Sequence, residues 1–186
     1  MEYQKQVERW GVQEIILQGP ETGNPFTEQW VRGTFSCAAQ KVSVEGFYDG
    51  EGIYKVRFMP AFEMPYHFEI EASFLDGKEE GDFAVTPPLE GNHGPVHVAY
   101  TYHFAYEDGT PYYPVGTTCY VWELQSEELQ EETLRELAKG YFNKIRFCVF
   151  PKHYIYNFHE PISYPYEGTP CDTSEMTEKN FGEYRT

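Results

Sequence analysis

Residues 142–154 read Phe-Asn-Lys-Ile-Arg-Phe-Cys-Val-Phe-Pro-Lys-His-Tyr, a β-strand pattern that Pro151 ends. Because side chains alternate along a strand, the apolar residues of one face are Ile145, Phe147 and Val149. Apolar residues at nearly every position are typical of a parallel sheet covered on both sides. The exception is Arg146, whose guanidinium requires a carboxylate partner in such a strand. We therefore expect a buried strand with one ion pair.

A helical pattern precedes this strand. Ser126 is an N-cap residue, and Glu127 and Glu128 follow in the first turn, where the helix dipole favours negative charge. Apolar residues recur every three or four positions up to Gly140, which suits the end of a helix. Residues 112–122 form a strand pattern before the helix, and residues 96–104 form an earlier one in which larger apolar and smaller or polar side chains alternate. A strand–helix–strand unit predicts two parallel strands joined by a right-handed crossover.

Composition and charge narrow the function classes. The 186 residues carry a formal net charge of −16 and no cluster of Lys and Arg, which argues against nucleic-acid or anionic-membrane partners. The N-terminus lacks an apolar signal segment, so a cytoplasmic location is expected. The four cysteines are widely separated, without a Cys-x-x-Cys pair, and are interpreted as free thiols. No metal site and no cofactor are predicted.

The N-terminal half has the pattern of short antiparallel strands separated by turns. The candidate strands are residues 7–17, 30–37, 41–47, 53–59 and 66–74. Several half-buried strands at this spacing predict an immunoglobulin-like β-sandwich over residues 1–90. A Pro/Gly-rich segment at residues 86–92 marks the predicted boundary with a second domain, residues 91–186. His67, Glu69 and Glu71 alternate along one strand and are interpreted as a solvated face rather than a site.

Two groups of segments resemble a known pair of domains. Residues 46–50 (Gly-Phe-Tyr-Asp-Gly) and 54–60 (Tyr-Lys-Val-Arg-Phe-Met-Pro) resemble the small β-sandwich of unknown function, DUF5060-like, that precedes some bacterial glycoside hydrolase barrels. The second half is similar to the start of the associated apiosidase-like or cellulase-like barrel, DUF4038-like. Its matching segments are residues 93–96, 108–111, 116–122, 142–146 and 151–154.

The resemblance implies a (β/α)8 barrel that hydrolyses glycosidic bonds with two carboxylates. This chain is expected to reach only the second strand of that barrel. A full barrel needs at least ~200 residues, so the catalytic pair is expected to lie outside a chain that looks truncated. The motif Asn143-x-x-Arg146 implies that Arg146 supports the nucleophile carboxylate by holding it ionised. The alternative role for Arg146 is a structural ion pair in the barrel wall.

Residues after the strand ends are the candidates for sugar binding, because barrel sites form at that face. They are Tyr120, Trp122, Lys152, His153 and Tyr154. The expected partners are a carbohydrate substrate and the missing remainder of the barrel. Two hypotheses stay open: an N-terminal part of a glycoside hydrolase that is inactive alone, and a non-catalytic carbohydrate-binding or interaction module. Residues 157–186 are either a long loop at the barrel face or a disordered tail.

Overall fold

The structure is a computed structural model that describes residues 1–148. The strands are β1 (Glu2–Tyr3), β2 (Gln6–Glu8), β3 (Gln13–Gln18), β4 (Val31–Ser36), β5 (Lys41–Glu45), β6 (Phe47–Gly50), β7 (Ile53–Phe58), β8 (Tyr66–Ala72), β9 (Glu79–Thr86), β10 (Val96–Ala99), β11 (His103–Tyr106), β12 (Pro111–Tyr112), β13 (Gly116–Thr118) and β14 (Lys144–Arg146). The helices are α1 (Pro25–Glu28) and α2 (Glu127–Ala138), with a 3-10 turn at Trp122–Leu124. The chain divides into two compact units, of which the first is Met1–Pro111 and the second begins at Tyr112.

The first unit contains the predicted β-sandwich. One sheet has the strand order β1-β3-β7-β6 and the other has the order β2-β9-β8-β4-β5. Neighbouring strands are antiparallel, except that β2 lies parallel to β9. Strand β8 shows the predicted alternation, since Tyr66, Phe68 and Ile70 are fully buried while the residues between them are half-buried. Period-two patterning therefore predicted the core face of this strand correctly.

The core of the sandwich is aromatic. Phe35 is fully buried and stacks on Phe58, with ring centroids 4.2 Å apart and planes inclined by 7°. Tyr66 stacks on Phe83 at 5.4 Å. Each buried aromatic removes roughly 150–250 Å² from water, so these rings dominate the hydrophobic stabilisation of the unit. Stacked and edge-on rings therefore form the centre of the sandwich core.

Two predicted strands are each divided in the structure. Residues 7–17 form β2 and β3, separated by Trp10, which has a φ of 61°. Residues 96–104 fold back as the hairpin β10–β11, because Tyr100 and Thr101 adopt φ values of 50° and 70°. Residues other than glycine seldom adopt this conformation, so the residue types at these three positions do not indicate a turn.

The hairpin β10–β11 lies in the first unit, beyond the boundary predicted at residue 90. Gly94 packs on the indole of Trp10, and Asn92 Nδ2 donates to the carbonyl oxygen of Arg9 at 3.3 Å. Trp10 is 8% exposed, and the guanidinium carbon of Arg9 lies 4.0 Å from the centroid of its ring. These contacts join the segment after residue 90 to the sandwich. Independent folding of residues 1–90 stays a prediction.

The second unit has the predicted strand–helix–strand order. Strands β13 and β14 pair in parallel, with Thr117 opposite Ile145. Helix α2 begins after Ser126, whose hydroxyl accepts a hydrogen bond from the Leu129 N–H at 3.4 Å, as the N-cap pattern predicted. The expected burial of the second strand is wrong for its described residues, since Ile145 is half-buried and Phe147 is 40% exposed. A single strand–helix–strand unit does not test the predicted (β/α)8 barrel, which stays a prediction.

Candidate functional site

The candidate site lies at the C-terminal ends of β13 and β14. Main-chain hydrogen bonds continue the pairing beyond the strands, from Cys119 N to Arg146 O at 2.8 Å and from Cys148 N to Tyr120 O at 3.0 Å. Residues 119–122 and 147–148 therefore lie together at one edge of the strand pair. Tyr120 and Trp122, two of the predicted sugar-binding residues, follow β13, and Arg146 is the last residue of β14. Their predicted roles stay predictions.

The opposite end of the strand pair is held by Asn143. Its Nδ2 donates to Tyr113 O at 2.9 Å, and its Oδ1 accepts from Val115 N at 2.9 Å. The main-chain N–H of Asn143 donates to Val115 O at 2.9 Å. The asparagine of the Asn-x-x-Arg motif thus acts as a clamp that sets the register of β13 and β14, three residues before Arg146.

Arg146 is exposed and interacts with an aromatic ring. Its guanidinium carbon lies 5.6 Å from the centroid of the Tyr120 ring. Such cation–π contacts contribute about 0.5–1 kcal/mol at exposed sites. Within residues 1–148, Arg146 forms no ion pair, so the carboxylate expected for it is not supplied by that part of the chain.

Trp122 is half-buried and packs within the second unit. Its indole N–H donates to the carbonyl oxygen of Gln130 in α2 at 3.1 Å. Its ring meets Phe147 edge-on, with centroids 5.6 Å apart. Gln130 also donates to the carbonyl oxygens of Glu123 and Gln125, at 3.1 and 2.8 Å. Trp122 therefore connects α2 to the strand ends, and its predicted stacking on a sugar ring stays a prediction.

Glu123 is a feature that sequence reasoning did not assign to the site. Both of its carboxylate oxygens are inaccessible to solvent, and within residues 1–148 neither has a hydrogen-bond partner on another residue. Burial raises the pKa of this carboxyl group, because desolvation disfavours the charged form. A lone Glu after a tryptophan has no diagnostic spacing, so the sequence offered no signal for its burial.

Among the described residues, this edge offers polar groups but no pair of carboxylates for hydrolysis. Among residues 116–123 and 144–148, Glu123 is the sole acid. Retaining glycosidases need two carboxyl groups about 5–5.5 Å apart. Three predicted sugar-binding residues, Lys152, His153 and Tyr154, lie outside the described residues. The described part of the edge therefore supplies an arginine, two aromatic rings and one buried acid.

A separate open cavity of about 660 Å³ lies on the four-stranded sheet. Ile16 and Ile53 contribute apolar surface, and Asp49 and Lys55 contribute an ion pair. The described residues that line the cavity include no aromatic ring. Because ring faces supply much of the contact with sugars, this cavity does not favour carbohydrate stacking.

Comparison with known proteins supports the resemblance in part. Residues 6–73 match the family described as Domain of unknown function (DUF5060), which confirms the predicted similarity of the sandwich. A search of curated proteins gave no match.

No helix in the described part of the chain has the length and apolarity needed to cross a membrane.

One solved structure is similar over most of the chain. It is the 1.80 Å crystal structure of a "putative glycoside hydrolase" from Bacteroides vulgatus ATCC 8482, with 43% sequence identity and a TM-score of 0.82. The match covers 88% of this chain and 32% of the Bacteroides vulgatus chain. The present chain thus spans about a third of that protein's length. The predicted similarity to an apiosidase-like barrel stays a prediction.

Proposed function

We propose that this chain is the N-terminal part of a glycoside hydrolase that acts on plant-type or other polysaccharides and oligosaccharides. The observation that carries the proposal is the 43% identity over 88% of the chain to the Bacteroides vulgatus protein. The catalytic carboxylates would come from polypeptide beyond this chain, as part of a (β/α)8 barrel. The chain alone would then be inactive.

Apolar surface in the second unit supports this proposal. Helix α2 has no buried residue, and Leu129 and Leu134 are 44% and 40% exposed. In a (β/α)8 barrel, the corresponding helix surface packs on neighbouring strands and helices. Apolar side chains left in water forgo about 25 cal/mol per Å² of stabilisation, so such a helix gains from further layers.

The hairpin β10–β11 has a second exposed apolar surface. Val96, Val98 and Phe104 lie on one face of the hairpin, since Val98 pairs with Phe104, and they are 41%, 64% and 43% exposed. Ala105, on the opposite face, is 5% exposed. Contiguous apolar patches of this kind mark interaction surfaces. The patch therefore fits a chain that is completed by more protein.

Arg146 would support the nucleophile in the completed enzyme. Arg146 is exposed and forms no ion pair within residues 1–148, so its guanidinium can bind a carboxylate from another strand. A bidentate contact would lower the pKa of that carboxyl group and hold it ready for attack. In the longer enzyme, Arg146→Met is then expected to reduce kcat more than Arg146→Lys. If Arg146→Met and Arg146→Lys lowered stability equally and left kcat unchanged, Arg146 would have a structural role instead.

The test has two parts. The nucleotide sequence downstream of the Thr186 codon should continue in frame for ~200 or more residues, the amount a barrel requires. A panel of aryl glycosides should show no turnover by the pure 186-residue chain and turnover by the longer protein. A stop codon directly after Thr186, or hydrolysis by the pure chain, would contradict the proposal.

The alternative function is a non-catalytic carbohydrate-binding module. Two rings at the hairpin tip favour it, because Tyr100 and Tyr102 are 87% and 88% exposed. Exposed tyrosine rings present flat apolar faces together with a hydroxyl group. A glycan array should then retain the chain selectively, and Tyr100→Ala should abolish retention. Retention that is insensitive to this substitution would count against the hairpin tip.

A further inference from the structure

A cluster of potential metal ligands lies on the outer face of β8 and β9. The function proposed above assigns no role to these residues. The ligand atoms of His67, Glu69 and Glu80 all lie within 4.8 Å of one another. His67 and Glu69 are half-buried, and Glu80 is exposed. We propose that these three residues form a Zn²⁺ site that joins the two strands. The proposal does not depend on the proposed enzymatic function.

The strand register creates the cluster. Glu69 lies directly opposite Glu80, and His67 lies directly opposite Asp82. His67 and Glu69 are two residues apart on β8, and Glu80 and Asp82 are two residues apart on β9. All four side chains therefore lie on the same face of the sheet. Like charges directly opposite each other destabilise a pair of strands. A divalent cation between Glu69 and Glu80 would convert that repulsion into attraction.

Asp82 orients the imidazole of His67. Nδ1 of His67 lies 3.0 Å from Oδ1 of Asp82. When Nδ1 donates its proton to this carboxylate, Nε2 carries the free lone pair that a metal requires. Carboxylates commonly hold metal-binding histidines in this way. The cluster therefore contains a nitrogen ligand with an orienting carboxylate, in addition to two oxygen ligands.

Lys78 competes with a metal for Glu69. Its Nζ lies 3.1 Å from Glu69 Oε2 and 3.3 Å from Glu71 Oε1. When Glu69 turns to a metal, Glu71 can retain the ammonium group. Removal of Lys78 should therefore strengthen metal binding, which is the opposite of what a purely structural ion pair would produce.

The donor set favours zinc over magnesium. Imidazole together with carboxylate suits Zn²⁺, whereas Mg²⁺ selects oxygen ligands. Each zinc ligand lies about 2.0–2.2 Å from the ion, so two ligands of a tetrahedral site are roughly 3.4 Å apart. The ligand atoms here lie within 4.8 Å of one another, so they need to approach by at most about 1.4 Å. Rotation of the exposed Glu80 side chain can supply this movement.

Isothermal titration of the untagged 186-residue chain tests the site. We expect one equivalent of Zn²⁺ to bind and Mg²⁺ not to compete. His67→Ala and Glu80→Gln should each weaken zinc binding at least about tenfold, and Lys78→Met should strengthen it. His97→Ala is the matched control, because His97 also lies beside a carboxylate, 3.5 Å from Glu107, but outside the cluster. This control should leave zinc affinity unchanged.

Folding of each variant is checked by circular dichroism, and thermal unfolding gives a second readout. Zinc should raise the Tm of the wild-type chain and of His97→Ala, because a ligand that binds only the folded state stabilises it. Zinc should not raise the Tm of folded His67→Ala. Absent zinc binding, or zinc binding equally strong in His67→Ala and the wild type, overturns the proposal.

Discussion

Oδ2 of Asp108 lies 2.7 Å from Nδ1 of His93, and Oδ1 of the same carboxylate accepts a hydrogen bond from the Thr110 N–H at 2.8 Å. The main-chain N–H of Asp108 also donates to the carbonyl oxygen of His93 at 3.2 Å. These bonds tie the turn after β11 to the segment before β10. The hairpin is thereby closed at the end opposite its exposed tip.

Asp108→Asn should lower stability in a pH-dependent way. The hydrogen bond from His93, followed by that from Thr110 N–H, lowers the pKa of Asp108. A carboxyl group with a depressed folded-state pKa stabilises the protein above its unfolded pKa of about 3.9, and this contribution is lost as the pH falls through the folded pKa. We therefore expect the variant to have a lower Tm than wild type near neutral pH, with the two converging in strong acid.

Thermal unfolding followed across this pH range provides the measurement. Asp76→Asn is a suitable control, because Asp76 is an exposed aspartate in the turn between β8 and β9. A Tm difference for Asp108→Asn that is constant with pH would show that its carboxylate charge does not contribute.

Gly94→Ala should destabilise the first unit more than Gly91→Ala does. Both glycines have left-handed backbones, with φ values of 79° and 87°. A Cβ at Gly94 would lie 2.7 Å from Cδ2 of the buried Trp10, whereas a Cβ at Gly91 would meet nothing within 4 Å. We expect Gly91→Ala to cost about 1–2 kcal/mol from backbone strain and Gly94→Ala about 1–3 kcal/mol more from overpacking.

Urea unfolding of the two glycine variants separates the backbone cost from the steric cost. Equal losses in the free energy of unfolding would mean that the hairpin segment moves away from Trp10 without penalty. The packing of the hairpin on the sandwich would then contribute little to stability.

Phe35→Ala should cost about 3–5 kcal/mol in the free energy of unfolding, the usual range for removing a buried phenylalanine. Phe35 is fully buried and contacts the rings of Phe58, Phe68 and Phe83. Phe62→Ala is the control, because Phe62 is 38% exposed. Chemical unfolding of both variants should show the smaller loss for Phe62. The reverse order would contradict the assignment of the core.

Asn143→Ala should loosen the pairing of β13 with β14. The variant loses the side-chain hydrogen bonds that Oδ1 accepts from the Val115 N–H and the Tyr112 hydroxyl, and the one that Nδ2 donates to Tyr113 O. Amide hydrogen exchange at Val115 should become faster, while exchange in the sandwich strands is unchanged. Asn143→Asp retains the acceptor for Val115 but lacks the donor for Tyr113, so we expect an intermediate rate. Unchanged exchange at Val115 in both variants would exclude the clamp.

Several elements were predictable because their signals are local. The alternation of Tyr66, Phe68 and Ile70 identified the buried face of β8, and Ser126 with its following acids identified the start of α2. The strand–helix–strand order predicted the parallel pairing of β13 and β14, which the structure confirms. Side-chain period and capping chemistry depend on neighbouring residues, so one sequence suffices to recognise them.

Other features depend on the tertiary structure. The turns at Trp10 and at Tyr100–Thr101 use residues that seldom adopt positive φ, and packing of the hairpin against Trp10 is a contact between distant segments. The burial of Glu123 likewise depends on surrounding residues that its sequence context does not specify. No local pattern encodes these outcomes, because the cost of each is offset by contacts elsewhere in the fold.

The outer face of β8 shows most clearly which features the sequence determines and which the tertiary structure decides. Alternation alone correctly assigned His67 and Glu69 to the outward face of β8. Only the register between β8 and β9 brings Asp82 opposite His67 and Glu80 opposite Glu69. The pleat of a single strand determines which way its side chains point, whereas the partner strand and its register are set by the turn and by burial of the whole sheet.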